Sequence, residues 1–395
     1  MAALLIIRPP TPIHSPPVAR TQEALYAEFD HELSWSEREL PQAERTKHVH
    51  GLHPSLGKFV PQLVEVFLRR YFAPGDCVYD PFVGSGTTLV EANAFGAHTV
   101  GCDISAFNCL LSRVKTTHYR LGTLELALRV AAEQARQGAE ARDTDDASDW
   151  LRTWYAPRAL SELLSYRGAI EELDDPSWDA ARVVLSRSAR SARLTTHFDL
   201  DVPRAPATEP YFCHKHKRTC RPVEEAAKFI RRYTRDTIAR LRAVSEVQTE
   251  AAVEVLHADA RTVELPLEPS GIITSPPYPG LIDYHEQHRY AYELLHLVDR
   301  RVLEIGPAER GHTRPALESY IRSMIAAFRN AAAQLPADAP VVIVVNDSRD
   351  LYPTILAGAR LRLEERLTRH VNRRTGRRAG EFFEDVLVCR TTRPA

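Results

Sequence analysis

Short apolar runs alternate with amphipathic stretches near both ends of the chain, and the alternation lapses in between. Cys77–Tyr79, His98–Ser105, Val253–Asp259 and Ile272–Thr274 are brief and end at polar or turn-forming residues, as strands do. Val341–Val345 is an unbroken β-branched run, the pattern of a strand covered on both faces. Gln62–Tyr71, Thr87–Phe95, a stretch ending near Val114, and Glu318–Leu335 read as helices between them. This rhythm predicts an α/β core around a mostly parallel sheet. Leu361–Val371 and Phe383–Arg390 can complete it as a hairpin-like pair.

Residues 121–250 break the rhythm. They contain helical stretches (Leu121–Gly138, Pro157–Leu173, Val223–Val244), a polar bridge at Glu140–Ser148 and almost no strand candidates. The expected division is an N-terminal arm and helical extension (1–47), a first half-core (48–120), a helical insertion (121–250) and a second half-core (251–395). Residues 1–20 are proline-rich and read as an extended arm.

With 44% hydrophobic and 26% charged residues over 395 positions, the composition is that of a soluble globular protein. The net charge of −1 means that any nucleic-acid surface must be a local patch. Six scattered cysteines fit reduced thiols better than a disulfide framework. The apolar opening is too short for a signal peptide, and no run approaches a membrane span. A cytoplasmic location is expected.

Two strand-to-loop junctions carry the chemistry. In Asp80-Pro81-Phe82-Val83-Gly84-Ser85-Gly86-Thr87-Thr88, the glycines let a ligand lie against the main chain near a helix N-terminus. Thr87-Thr88 stands where a P-loop needs Lys-Ser/Thr, which disfavours a nucleoside triphosphate. Asp103, about 20 residues beyond, is placed to meet ribose hydroxyls; as an N-cap of the next helix, Asp103 or Ser105 would serve equally. In Thr274-Ser275-Pro276-Pro277-Tyr278, the prolines freeze a turn that presents Ser and Tyr at a strand's carboxyl end.

Together these strings resemble the motifs of the amino-group DNA methyltransferases, over residues 48–115 and 251–290 specifically and 339–390 loosely. The resemblance implies a Rossmann-like S-adenosylmethionine-dependent methyltransferase fold with a seven-stranded, mostly parallel sheet. It implies S-adenosylmethionine as cofactor, held by Lys58 and Phe59, by Asp80, Pro81, Phe82, Gly84, Ser85, Gly86, Thr87 and Thr88, and by Asp103 and Ile104. Asp259 and Ala260 would border its adenine, with Thr274 beside the catalytic residues Ser275, Pro276, Pro277 and Tyr278. Ser275 Oγ and the Pro276 carbonyl would accept the N–H bonds of an exocyclic amine, while Tyr278 stacks on an extruded base. Cofactor motif, insertion, catalytic motif is the order here, whereas the commonest N4-cytosine arrangement puts the catalytic motif first.

Ser at position 275 favours N4 of cytosine, since N6-adenine enzymes more often carry Asp or Asn there. Methylation at cytosine C5 would need a Pro-Cys nucleophile, and the chain has no such dipeptide. An RNA guanosine-N2 enzyme and a non-catalytic DNA-binding protein are the other readings. Duplex DNA is the expected partner, on the nucleoid, and a cognate restriction endonuclease is compatible with the resemblance.

Basic residues cluster in the insertion: Arg187, Arg190 and Arg193 at three-residue spacing, Lys215, Lys217, Arg218 and Arg221 in a loop, and others along Val223–Val244. Alone these read as solvated faces; beside a DNA methyltransferase core they read as phosphate contacts. Arg373, Arg374, Arg377 and Arg378 form a second cationic loop. His48, His50 and His53 lack a fourth metal ligand nearby. The spacing of Cys213, His214, His216 and Cys220 matches no regular zinc pattern, and its Lys and Arg neighbours would oppose a cation. No metal is expected.

Overall fold

The computed structural model describes residues 33–35, 38–54, 60–139, 143–145, 147–197, 203–371 and 383–392. Helix α1 (Pro61–Tyr71) begins with proline at N1, where the missing N–H costs nothing, and buries Leu63, Val64, Phe67 and Leu68. Strand β1 (Cys77–Asp80), α2 (Thr87–Phe95), β2 (His98–Asp103) and α3 (Ala106–Thr116) follow. Gly96, at φ +90°, ends α2 in the left-handed conformation that glycine adopts freely.

The insertion holds α4 (Leu121–Gly138), α5 (Pro157–Ile170), α6 (Ser177–Ala192), the hairpin β3 (Tyr211–Cys213) with β4 (Arg218–Cys220), and α7 (Ala227–Ser245). The core resumes with β5 (Val253–His257), β6 (Gly271–Thr274), α8 (Arg289–Leu295), α9 (Arg314–Ala333) and β7 (Pro340–Val345). Helix α10 (Tyr352–Ala359), β8 (Leu361–His370) and β9 (Phe383–Thr391) close it.

Seven strands form one sheet in the order β5-β2-β1-β6-β7-β9-β8, and β9 alone runs antiparallel to its neighbours. The chain leaves β1 toward β2 and β5, then returns on the other side to β6 and β7. The switch therefore falls between β1 and β6, the place where open α/β sheets bind ligands.

Helices cover both faces. Val341, Ile343 and Val345 join Tyr79, Ile272, Met324 and Phe328 on one side. Val342 and Val344 join Val78, Ile273, Leu63 and Phe67 on the other. The β-branched run is thus two-sided, as its composition requires.

Helices α4 to α7 share a third apolar cluster with α3 and α8, built from residues such as Leu110, Leu128, Leu163, Val184, Ile238 and Tyr290. Two elements of the insertion depart from the sequence expectation. Helix α6 is Arg- and Ser-rich yet central, touching α3, α4, α5, α7 and α8, and it buries Arg182 and Arg187. The hairpin's strands are three residues each, too short for a periodicity to show. The arm at 1–20 lies outside the described residues, among which no helix is long and apolar enough to cross a membrane.

Candidate active site

Asp80 is buried at the end of β1. Its Oδ1 accepts the Phe82 N–H at 3.0 Å and the Thr274 hydroxyl at 2.6 Å. Thr88 Oγ1 donates to the Ile273 carbonyl at 3.2 Å. These bonds fasten the glycine loop to the strand that delivers Ser275. Burial pushes the Asp80 carboxyl up to about 6, against the pull of the Thr274 and Phe82 donors.

The two glycines have different duties. Gly86 sits at φ +79°, and a Cβ there would lie 2.8 Å from Ser112 Oγ, so it serves packing against α3. Gly84, at φ +51°, would place a Cβ no nearer than 3.8 Å to other atoms, so its bare backbone borders open space. Behind the loop, Lys115 is fully buried and donates to the Ser85 carbonyl, while Ser112 Oγ donates to the Gly84 carbonyl at 3.3 Å. Nothing in the local sequence marks Lys115; only the packing of α3 against the loop gives it that duty.

A cleft of about 950 Å³, counting space open to solvent, lies across the switch point. Pro81, Phe82, Gly84, Ser85 and Thr87 line it from the loop, Asp103, Ile104 and Asn108 from β2 and α3. Asp259 and Ala260 line it from beyond β5, and Ser275 and Pro277 from the Ser-Pro-Pro turn. Asp80, Gly86, Thr88, Thr274 and Pro276 stand behind this wall and do not line it. Tyr278 is also outside the lining, and its hydroxyl donates to Glu384 of β9 at 3.2 Å. Tyr320 Oη donates to the Pro277 carbonyl at 3.0 Å, bracing the turn. Lys58 and Phe59 lie outside the described residues.

Asp103 accepts from the Gly84 N–H (2.8 Å), the Ser105 N–H (2.8 Å) and Asn108 Nδ2 (3.1 Å). The cap of α3 is Ser105, which accepts from the Asn108 N–H. Burial raises the Asp103 carboxyl, and those donors lower it. Asp259 is chelated by its neighbour: Arg261 Nη2 donates to Oδ2 at 2.6 Å and Nε to Oδ1 at 2.8 Å. Burial opposes ionisation of Asp259, but the guanidinium prevails and holds the carboxyl below its usual range.

Two buried polar atoms in the cleft wall have no partner among the described residues, Ser85 Oγ and His288 Nε2. His288 Nδ1 donates to the Tyr284 carbonyl at 3.1 Å, which leaves the buried Nε2 as an acceptor. Burial and the nearby Arg190 and Arg193 push its imidazole down to about 3, so it is neutral. Orphaned atoms of this kind call for a polar ligand. His285 and Glu304 pair beside them. The only sequence signal for this wall was its position just past the catalytic motif.

The basic residues divide sharply. Lys215, Lys217, Arg218 and Arg221 are exposed, but Arg193 is 3% exposed, its guanidinium 4.7 Å from the Tyr290 ring centre. The phosphate contact expected of Arg193 is corrected accordingly: the helix packs it into the core. Arg190 is half-buried, and Arg187 pairs with Asp236 and Thr237. Arg373, Arg374, Arg377 and Arg378 lie outside the described residues. His50 and Lys47 both bond Glu91, an internal polar network. Around the hairpin the structure gathers His197, Cys213, His216 and Cys220, whereas the sequence grouping had His214 in place of His197.

The strand order, with a cleft at its switch between a glycine loop and a Ser-Pro-Pro turn, is the design of the Rossmann-like S-adenosylmethionine-dependent methyltransferases. Relatives narrow the class. The chain is 35% identical to the type II methyltransferase M.MjaII of Methanocaldococcus jannaschii over 430 aligned residues, 88% of this chain and 81% of that one. It is 36% identical over 84 residues to the type II methyltransferase M.MvaI of Kocuria varians, 20% of this chain and 18% of that one. A 32-residue stretch is 59% identical to the tRNA (guanine(10)-N(2))-methyltransferase of Schizosaccharomyces pombe, covering 8% and 7%. Residues 22–113 match the family model described as DNA methylase. The chain belongs to the amino-group DNA methyltransferases, and its cofactor is S-adenosylmethionine.

Proposed function

We propose that the protein methylates the exocyclic N4 of cytosine in duplex DNA, with the target base turned out of the helix into the cleft. The observation that carries this reading is Ser275. It is an uncharged acceptor at the carboxyl end of β6, in the same cleft wall as Gly84 and Ser85.

The amine of cytosine is conjugated with its ring, so its lone pair is a weak nucleophile. Ser275 Oγ accepts one N–H bond from the cleft wall. The Pro276 carbonyl, which does not itself line the cleft, takes the other once the base is seated, turning the lone pair toward the methyl donor. S-adenosylmethionine, when bound, supplies an electrophilic methyl on a sulfonium. The backbone at Gly84 and the hydroxyl of Ser85 suit its close approach, Asp103 its ribose and Asp259 the adenine border. Lys58, Phe59, Pro81, Phe82, Thr87, Ile104 and Ala260 complete the cofactor set of this reading. Asp80, Gly86, Thr88 and Thr274 act one step back, holding loop and strand together.

Tyr278 is the stacking ring of this reading; with its hydroxyl on Glu384 it lies outside the cleft lining, so the base must seat against it from the cleft's edge. Positioning rather than a strong base supplies the acceleration. Residues 121–250 serve as the target-recognition region, with Lys215, Lys217, Arg218 and Arg221 on phosphates. A partner endonuclease of the same specificity and action on nucleoid DNA in the cytoplasm belong to this reading.

The test is incubation with labelled S-adenosylmethionine and unmethylated genomic DNA, then nucleoside mass spectrometry, with Ser275→Ala as control. N4-methylcytosine that vanishes in the control supports the reading. N6-methyladenine keeps the mechanism and overturns the base; label entering only RNA overturns DNA as substrate.

A further inference from the structure

We infer that His197, Cys213, His216 and Cys220 form a tetrahedral structural zinc site that staples the insertion's hairpin. Nothing in the methyl-transfer chemistry requires it, and the inference stands apart from the DNA reading.

The ligand atoms of these residues all lie within 4.8 Å of one another. Zinc bonds of about 2.3 Å to sulfur and about 2.05 Å to nitrogen, at tetrahedral angles, set a sulfur–nitrogen edge of about 3.6 Å. The observed edges are 3.6 Å from Cys213 Sγ to His197 Nδ1, 3.6 Å to His216 Nδ1, and 3.4 Å from His216 Nδ1 to Cys220 Sγ. Thiol hydrogen bonds account for a single such contact; they give no reason for two sulfurs and two imidazole nitrogens to converge on one point.

Three further features agree. The main-chain N–H groups of Lys215 and His216 are directed at Cys213 Sγ, the support a ligating thiolate takes from its second shell. Lys217 adopts φ +53°, turning the chain back so that Cys220 pairs across the hairpin with Tyr211. The strands are three residues each and, among the described residues, pair only with each other, and a two-stranded ribbon this small needs a staple to persist.

Charge is no obstacle. Two thiolates neutralise Zn²⁺, so Lys215, Lys217 and Arg218 face a neutral centre. The Tyr211 hydroxyl, 2.9 Å from His197 Nδ1, yields that contact to the metal but keeps its bond from the His197 N–H at 3.1 Å. The spacing, Cys-x2-His-x3-Cys with a histidine 16 residues before the first cysteine, hid the site because the fourth ligand comes from the chain beyond α6. The consequence is a rigid platform for Phe212, Lys215, Lys217 and Arg218, all exposed.

The experiment uses the untagged full chain, purified under reducing conditions without chelator and weighed for metal by inductively coupled plasma mass spectrometry. One zinc per chain surviving gel filtration is expected, none in Cys213→Ser/Cys220→Ser, and full content in Cys389→Ser, a buried thiol of β9. Exchange with Co²⁺ should give thiolate charge-transfer and tetrahedral d–d bands, which the His197→Ala variant perturbs. These spectra read the folded wild-type protein, so the result holds even where a variant fails to fold. Zinc-free wild-type protein that also gives no cobalt charge-transfer band overturns the inference, as does zinc retained by the double-cysteine variant.

Discussion

The crevice at the switch point and the helical insertion are both rich in polar residues, yet their polar groups obey different rules. In the crevice, roles follow from backbone position. Gly84 borders the cleft because a left-handed turn after β1 puts it there, and Ser275 enters it because two prolines stop β6. In the insertion, roles follow from what packs overhead. Arg187 and Lys217 have similar side chains, but one is locked against Asp236 and the Tyr233 ring while the other stands in solvent. A motif made of turn geometry is readable one residue at a time; a role made of burial is not.

The contrast can be broken by substitution. Ser275→Ala should leave folding and cofactor affinity intact and lower the rate of methyl transfer about 100-fold or more, measured by single turnover. A rate within threefold of wild type would detach Ser275 from the chemistry. Next, Arg187→Ala should cost about 2–3 kcal/mol in chemical denaturation, because a core gap opens and Thr237 and the Tyr233 ring lose their contact, although Asp236 keeps Arg240. Were Arg187 a surface phosphate contact instead, stability would not move and DNA affinity would fall.

Gly86→Ala should destabilise by about 1–3 kcal/mol, from a strained positive φ and a Cβ pressed on Ser112. Gly84→Ala carries the strain of its positive φ but meets no neighbour, so it should cost less stability than Gly86→Ala and more cofactor affinity, measured by calorimetry. Equal losses in both would erase the distinction between the two glycines.

His288 sharpens the picture through pH. Its folded pKa of about 3 lies below the ordinary 6.5, so in that window the unfolded chain holds a proton that the folded chain refuses. Its contribution to stability is present above pH 6.5 and is lost as pH falls toward 3. His288→Gln should therefore flatten the acid side of the stability profile by at most about 1.4 kcal/mol per pH unit. An unchanged slope would show that His288 is not neutral in the wall.

The smallest effects belong to the exposed cations. Lys217→Gln and Arg218→Gln should change stability by less than about 0.5 kcal/mol. Each should reduce the salt dependence of DNA binding by about one counterion. A salt slope equal to wild type would remove the hairpin from the DNA interface.

Much of the core was legible because its signals are local. Helix Thr87–Phe95 and the start of strand Cys77 came directly from a glycine loop and an apolar run, and the unbroken β-branched run Val341–Val345 implied two covered faces. Leu361–Val371 and Phe383–Arg390 were readable as a hairpin-like pair, and they pair antiparallel as β8 and β9. Helix α6 was not legible, because its Arg and Ser residues read as a solvated face, whereas neighbouring helices bury them. The cleft wall at His288 and Glu304 was not, since its chemistry arises from segments that share no motif.

By itself the sequence determined the strand–helix alternation, the glycine loop and the Ser-Pro-Pro turn, because φ restrictions and hydrophobic spacing act within a few residues. The tertiary structure alone decided which arginines are interior, why Lys115 reaches the Ser85 carbonyl, and which histidine joins Cys213 and Cys220. Those outcomes depend on distances between residues far apart along the chain, and such distances exist only once the helices have packed.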